Sequence, residues 1–184
     1  MSTRRLPLFA LVFAVLGLAA CGGGDEPAET PEPTPAPPQT AEPTPAAPTA
    51  EPVPAYDGPA FEITMNPVGE QMEYEQKEFT VHPGQTVRIT FQNTATNPAM
   101  HHNVVVLQAD ANVNAIGQAA MGAAANDYIP QAQMDQIIAH TPMSAPGETV
   151  EVEFTAPNVG DYPYICTYPG HYMTMQGTMH VVAE

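Results

Sequence analysis

Positive charge is scarce in this chain of 184 residues: Lys and Arg together number 4 against 20 Asp and Glu, for a formal net charge of -16. Binding to nucleic acid rests on neutralising phosphates with clustered cations, and no basic patch exists here to do it. Nucleic acid is therefore excluded as a partner. Cysteine is scarcer still, with only Cys21 and Cys166. Each has its own role below, so no disulfide is expected. Long apolar runs are missing too: the N-terminal stretch Leu6 to Ala20 carries no charge, but it is too short to span a bilayer comfortably.

That stretch instead reads as a targeting segment, with Arg4 and Arg5 as the charged start and the apolar run behind them. It closes on Leu18-Ala19-Ala20-Cys21, which resembles the lipobox of bacterial lipoproteins. In such proteins the cysteine becomes the lipidated first residue of the mature chain. Residues 1–20 are thus expected to be a lipoprotein signal peptide, and Cys21 the lipidation site. The small residues Gly22, Gly23 and Gly24 suit a chain leaving a membrane surface. Removal of residues 1–20 takes out Arg4 and Arg5 and no acid, so the mature chain is more acidic still. Export is implied, to the periplasm or the cell exterior, with a lipid anchor in a bacterial membrane.

Proline is plentiful, at 22 residues, and concentrated between about Asp25 and Pro59. There it alternates loosely with Ala, Thr and Glu, with hardly an apolar side chain larger than Val. Such a segment cannot bury enough surface to offset its ordering entropy, and its prolines favour the extended polyproline conformation. Residues 21–59 are expected to form a disordered, stiff spacer. At about 3.1 Å per residue it could hold a domain on the order of 100 Å from the membrane.

From about Ala60 to Glu184 the pattern changes. Val87, Ile89 and Phe91 alternate with Thr86, Arg88 and Thr90, the mark of a half-buried strand. Shorter runs recur at Phe61 to Met65, Phe79 to Val81, Val104 to Leu107, Val150 to Phe154, Tyr162 to Cys166 and Thr178 to Val182. Turn signals such as His82-Pro83-Gly84 and Ala145-Pro146-Gly147 separate them. Many short strands imply an all-β sandwich or barrel. Between Asp110 and Ser144 the spacing suits helix instead, around Ala119 to Ala124 and Gln131 to Ile138. An immunoglobulin-like domain is the plain alternative, because Tyr164-x-Cys166 looks like the strand around its second cysteine. It fails because the only other cysteine, Cys21, lies across the spacer.

The chemistry is concentrated in Cys166-Thr167-Tyr168-Pro169-Gly170-His171-Tyr172-Met173-Thr174-Met175, which offers a thiol, an imidazole and a thioether just after a strand. A second imidazole comes from Met100-His101-His102-Asn103. Two His, one Cys and a weak axial Met make the ligand set of a mononuclear blue-copper electron-transfer site. The thiolate suits Cu(I), the imidazoles suit both oxidation states, and the thioether tunes the potential. Successive strand side chains point to opposite faces, so only one of His101 and His102 can face a metal. His82, His140 and His180 have no ligand partners at suitable spacing and read as surface or strand residues.

With the spacing Cys-x4-His-x3-Met and the run Cys-Thr-Tyr-Pro-Gly-His, the chain resembles the azurin and auracyanin branch of the cupredoxins. The resemblance extends to His102-Asn103 and to Ile138-Ala139-His140-Thr141, and so covers nearly all of residues 60–184. It implies an eight-stranded Greek-key β-sandwich with a helical insertion, residues 60–184 being the copper-binding domain. It selects His102 over His101, so the expected ligands of one copper ion are His102, Cys166, His171 and Met175. It also implies that Asn103 braces the ligand loop and raises the His101 carbonyl as a further axial contact. Azurins carry a disulfide near the N-terminus, and this domain has no cysteine pair to make one. The auracyanins, exported and tethered, are the nearer match.

The function implied is a membrane-tethered one-electron carrier between membrane-bound redox complexes, without catalytic residues of its own. An enzyme would need an open coordination position or further metals, and a dinuclear copper centre would need a second cysteine near Cys166. A copper delivery or storage lipoprotein is the alternative, which would favour a clustered and exchangeable ligand motif. Met100, Tyr168, Pro169, Tyr172 and Met173 are expected to form an uncharged patch at the copper end.

Overall fold

The alternation seen at Thr86–Gln92 sets the architecture. In the computed structural model, which describes residues 52–183, this segment is strand β3, and Val87, Ile89 and Phe91 are buried while the residues between them face outward. The expected signal peptide, Cys21 and the spacer up to residue 51 lie outside the described residues. Strand β1 (Phe61–Met65) pairs in parallel with β3, and β6 (Thr149–Thr155) pairs antiparallel on its other side, giving a three-stranded sheet in the order β1-β3-β6. The facing sheet has five strands in the order β2-β8-β7-β4-β5. Its members are β2 (Glu78–Val81), β4 (Val105–Leu107), β5 (Ile137–His140), β7 (Gly160–Ile165) and β8 (Gln176–Val181). The domain is therefore an all-β sandwich of eight strands with a helical insertion, as the resemblance implies.

Between the sheets lies a core that includes Met65, Phe79, Phe91, Val104, Val106, Tyr164 and Met179. Strand β4 is buried on both faces, because its alternate residues Val105 and Leu107 join a second cluster with Ile116, Ile129, Ile137, Ile165 and Tyr172. The insertion between β4 and β5 covers that outer face. Burying each such aliphatic side chain contributes about 1.5–3 kcal/mol. The insertion is thus packed structure.

One expectation needs correction here. The insertion was expected to be helical around Ala119 to Ala124 and Gln131 to Ile138. Helix α1 instead spans Val113–Ala120, started by Asn112, whose side chain accepts from the N–H of Ala115 at 3.0 Å. Short 3-10 turns follow at Ala124–Asn126 and Gln131–Gln136, and Ile137–His140 is the edge strand β5. Pairing with β4, as Val105↔His140 and Val106↔Ala139, makes it a strand, in keeping with the β-branched Ile137 and Ile138. Ahead of β1, Tyr56 stacks on His82 at 5.4 Å, and Gln85 Nε2 donates to the Pro59 carbonyl at 2.9 Å.

Candidate metal centre

The segment carrying His102 is not a regular strand. His102 forms an isolated antiparallel bridge with Ser144, donating its N–H to the Ser144 carbonyl at 3.1 Å and accepting from the Ser144 N–H at 2.8 Å. The buried Asn93, just past β3, donates from Nδ2 to the carbonyls of Met100 and Ser144 at 2.8 and 3.0 Å. These contacts fix the approach of residues 100–102. Cys166 follows β7 directly, and its N–H donates to the Met175 carbonyl at 3.0 Å, so the two ends of the ligand loop are clipped together. Within the loop Gly170 has φ 83, a left-handed turn suited to glycine, and a 3-10 turn His171–Met173 follows. The Met175 N–H donates to the His171 carbonyl at 2.8 Å.

The result is a buried cluster of three ligand atoms within 4.8 Å of one another, from His102, Cys166 and His171. The two Nδ1 atoms lie 3.2 Å apart, and Cys166 Sγ lies 3.9 Å from His102 Nδ1 and 3.7 Å from His171 Nδ1. Metal bonds of about 2.0 Å to imidazole and about 2.3 Å to thiolate leave ligand atoms at separations of this size. The donor set, two nitrogens and a sulfur, is the soft and borderline mixture that suits copper in both oxidation states. The residues present fit the ion. Met175 is fully buried beside them in the inter-sheet core. His101 is only partly buried, its ring stacked on Tyr168 at 5.6 Å.

Burial governs the protonation of the set. It pushes the Cys166 thiol up to about 12, opposed in part by the backbone N–H groups of Asn103 and Tyr168 directed at the sulfur. It pushes His102 down to about 4, with the nearby imidazole of His171 adding to the effect, and His171 down to about 4 as well. At neutral pH the metal-free site therefore offers two neutral imidazoles and a protonated thiol. Among the described residues His102 Nε2 is buried without a hydrogen-bond partner, and Phe91 packs edge-on against the ring at 6.2 Å.

Asn103 ties the two ligand segments together. Its Nδ2 donates to Thr167 Oγ1 and its Oδ1 accepts from the Thr167 N–H, both at 2.8 Å. The buried Tyr74 hydroxyl donates to the Asn103 carbonyl at 2.5 Å. Reading the sequence singled out neither Tyr74 nor the pairing with Thr167. Tyr74 carried no signal, being an isolated tyrosine between polar residues.

The residue types, spacing and buried geometry together point one way, and the comparisons decide it. Residues 61–182 match the family of copper binding proteins described as plastocyanin/azurin. The chain belongs to that family. Auracyanin-A of Chloroflexus aurantiacus is 42% identical over 120 residues, which is 65% of this chain and 73% of that protein. Auracyanin-B of the same organism is 31% identical, over 67% of this chain and 53% of that one. The outer membrane protein H.8 of Neisseria gonorrhoeae is 33% identical, over 58% of this chain and 55% of its own length. The solved structure of Chloroflexus aurantiacus auracyanin A, described as a blue copper protein, superposes with a TM-score of 0.62 at 40% identity, covering 68% of this chain and all (100%) of that one. Members of this family are copper-based electron carriers, and the cofactor of this chain is one copper ion.

Elsewhere among the described residues, His180 Nδ1 pairs with Asp161 Oδ1 at 2.6 Å, away from the cluster. Met173 stands 63% exposed on the ligand loop. Tyr172, expected to line the same uncharged patch, is buried and packs against Gly117, where an added Cβ would lie 2.2 Å from its ring. The patch expectation is corrected to that extent.

Proposed function

We propose that this chain is an exported, membrane-tethered one-electron carrier whose copper would be held by His102, Cys166 and His171 and, more weakly, by Met175. The observation that carries the reading is the convergence of two Nδ1 atoms and one Sγ within 4.8 Å in a buried pocket. Copper bound there supplies a one-electron Cu(II)/Cu(I) couple. The side chains do the rest. Asn103 and Thr167 hold the His102 and Cys166 segments in one geometry, so little has to move when charge changes. Burial of Cys166 and His102 keeps water from the donors, while His171, 5% exposed, is the ligand nearest solvent on the loop. A redox partner docking over that loop would meet the exposed Met173, two residues from His171.

Donor and acceptor are membrane-bound redox complexes on this reading. The lipobox-like Leu18-Ala19-Ala20-Cys21 supports a lipid anchor on Cys21, and residues 21–59 serve as the spacer between it and the domain at 60–184. A relative named as an outer membrane protein fits the same arrangement. Delivery or storage of copper is disfavoured by ligands this deeply buried, which would exchange slowly.

The test is the visible colour. Wild-type protein loaded with Cu(II) should absorb intensely through thiolate-to-copper charge transfer, and Cys166→Ser should abolish that absorption, because an alcohol is a poor soft donor. A serine variant that stays blue would overturn the ligand assignment. Reversible one-electron voltammetry of the wild type checks the carrier role.

A further inference from the structure

Two consecutive residues of the insertion, Asp127 and Tyr128, have left-handed backbones at φ 51 and φ 59. For a bulky residue such as Tyr this is an energetically costly conformation that glycine or asparagine would adopt more easily. The turn is firmly held: the Tyr128 N–H donates to the Ala123 carbonyl at 3.0 Å, and the Ile129 N–H donates to the Asn126 carbonyl at 2.8 Å. Directly afterwards Ile129 is buried in the second apolar cluster, together with Tyr172 of the ligand loop. The reversal sends Ile129 inward and leaves the Tyr128 ring free to meet a different partner.

That partner is Tyr168, two residues beyond Cys166. The Tyr128 and Tyr168 rings meet edge to face at 5.2 Å and 73°. Tyr168 in turn meets the His171 ring edge to face at 4.9 Å and carries the His101 ring stacked on it at 5.6 Å. Tyr168 is thus gripped by three rings, one belonging to a proposed copper ligand and one supplied by the strained turn. On its other side the loop is held by Tyr172 against Gly117 of α1. The insertion takes hold of the ligand loop at two points on either side of His171.

We propose that Tyr128 is a positioning residue for the metal centre: its strained backbone presses its ring on Tyr168, which keeps the His171 imidazole in its ligating orientation. The cost of the left-handed backbone is offset by the ring contact it makes possible. The inference rests on the reading of His171 as a copper ligand. Its consequence is that Tyr128 governs how tightly the loop retains copper more than how stable the fold is. Removing the ring frees Tyr168 and with it one side of His171, while relaxing the backbone.

The experiment uses the full chain loaded with Cu(I) and measures the rate of copper transfer to excess bicinchoninate, beside the melting temperature of the metal-free chain. Tyr128→Phe keeps the ring and should release copper at the wild-type rate. Tyr128→Gly and Tyr128→Asn, both tolerant of the left-handed backbone, should release it about fivefold faster, the equilibrium factor of one edge-to-face pair. Their metal-free melting temperatures should not fall. Wild-type release rates in the Gly and Asn variants would overturn the proposal, as would faster release in step with a falling metal-free melting temperature, which is general loosening. Release from Tyr128→Phe as fast as from Tyr128→Gly would overturn it too, by assigning the effect to the hydroxyl. A wild type without thiolate-to-copper absorption overturns the ligand set itself, whereas a blue wild type with unchanged variant rates sinks the role of Tyr128 alone.

Discussion

Copper binding to this site should release one proton across the neutral range, and its affinity should weaken as pH falls. Burial holds the Cys166 thiol protonated by pushing it up to about 12, while His102 and His171 are pushed down to about 4. Between about pH 5 and pH 11 the imidazoles are therefore already free of protons, and the thiol is the one group that must lose one for a metal to bind. The sign follows: each unit drop in pH makes that loss about tenfold harder, or about 1.4 kcal/mol. From pH 8 to pH 6 the apparent affinity should fall about a hundredfold. Below about pH 4 both imidazoles also take protons and the dependence steepens. Competition against a chelator of known protonation at pH 6, 7 and 8 measures the slope, and titration in weak buffer with an indicator counts the proton. An affinity independent of pH in that range would mean the thiol is ionised before metal arrives, contrary to its burial. Release of two or more protons would mean that an imidazole is charged in the metal-free site, which its burial argues against equally.

Two further outcomes follow from the ligand set and the proposed tether. Met175→Leu should leave the protein blue and raise its reduction potential, since loss of a weak electron-pair donor disfavours Cu(II) more than Cu(I); the swap nearly conserves volume at a fully buried position, so unfolding free energy should drop by less than about 1.5 kcal/mol. An unchanged or lower potential in voltammetry would remove Met175 from the ligands. Cys21→Ser should move the protein from the membrane to the soluble fraction of a native-like host, because lipid chains contribute about 0.8 kcal/mol per buried CH2; continued sedimentation with membranes would mean another tether.

What the sequence makes legible here divides along the range of the interaction. Cys166, His171 and Met175 share one loop, so their spacing alone names a chemistry, and the alternation of Val87, Ile89 and Phe91 exposes a sandwich strand because each side chain answers to the pleat of its own strand. Strand β5 could not be read that way: Ile137–His140 is short and becomes a strand only by pairing with Val105 and Val106. Helix α1 did carry a local signal in the cap Asn112, which the helix-friendly run further on obscured. The inward turn of Tyr172 depends on a missing side chain at Gly117, and the brace on Asn103 depends on Tyr74 and Thr167, all remote in the chain. Such contacts leave no period and no motif behind. On the proposed ligand set these contacts flank the residues that would hold copper, and such outer-shell partners tune the affinity and potential of a metal site. Two chains with the same Cys-x4-His-x3-Met spacing should therefore bind the same ion and still differ as carriers, according to what stands at positions 74, 117 and 128.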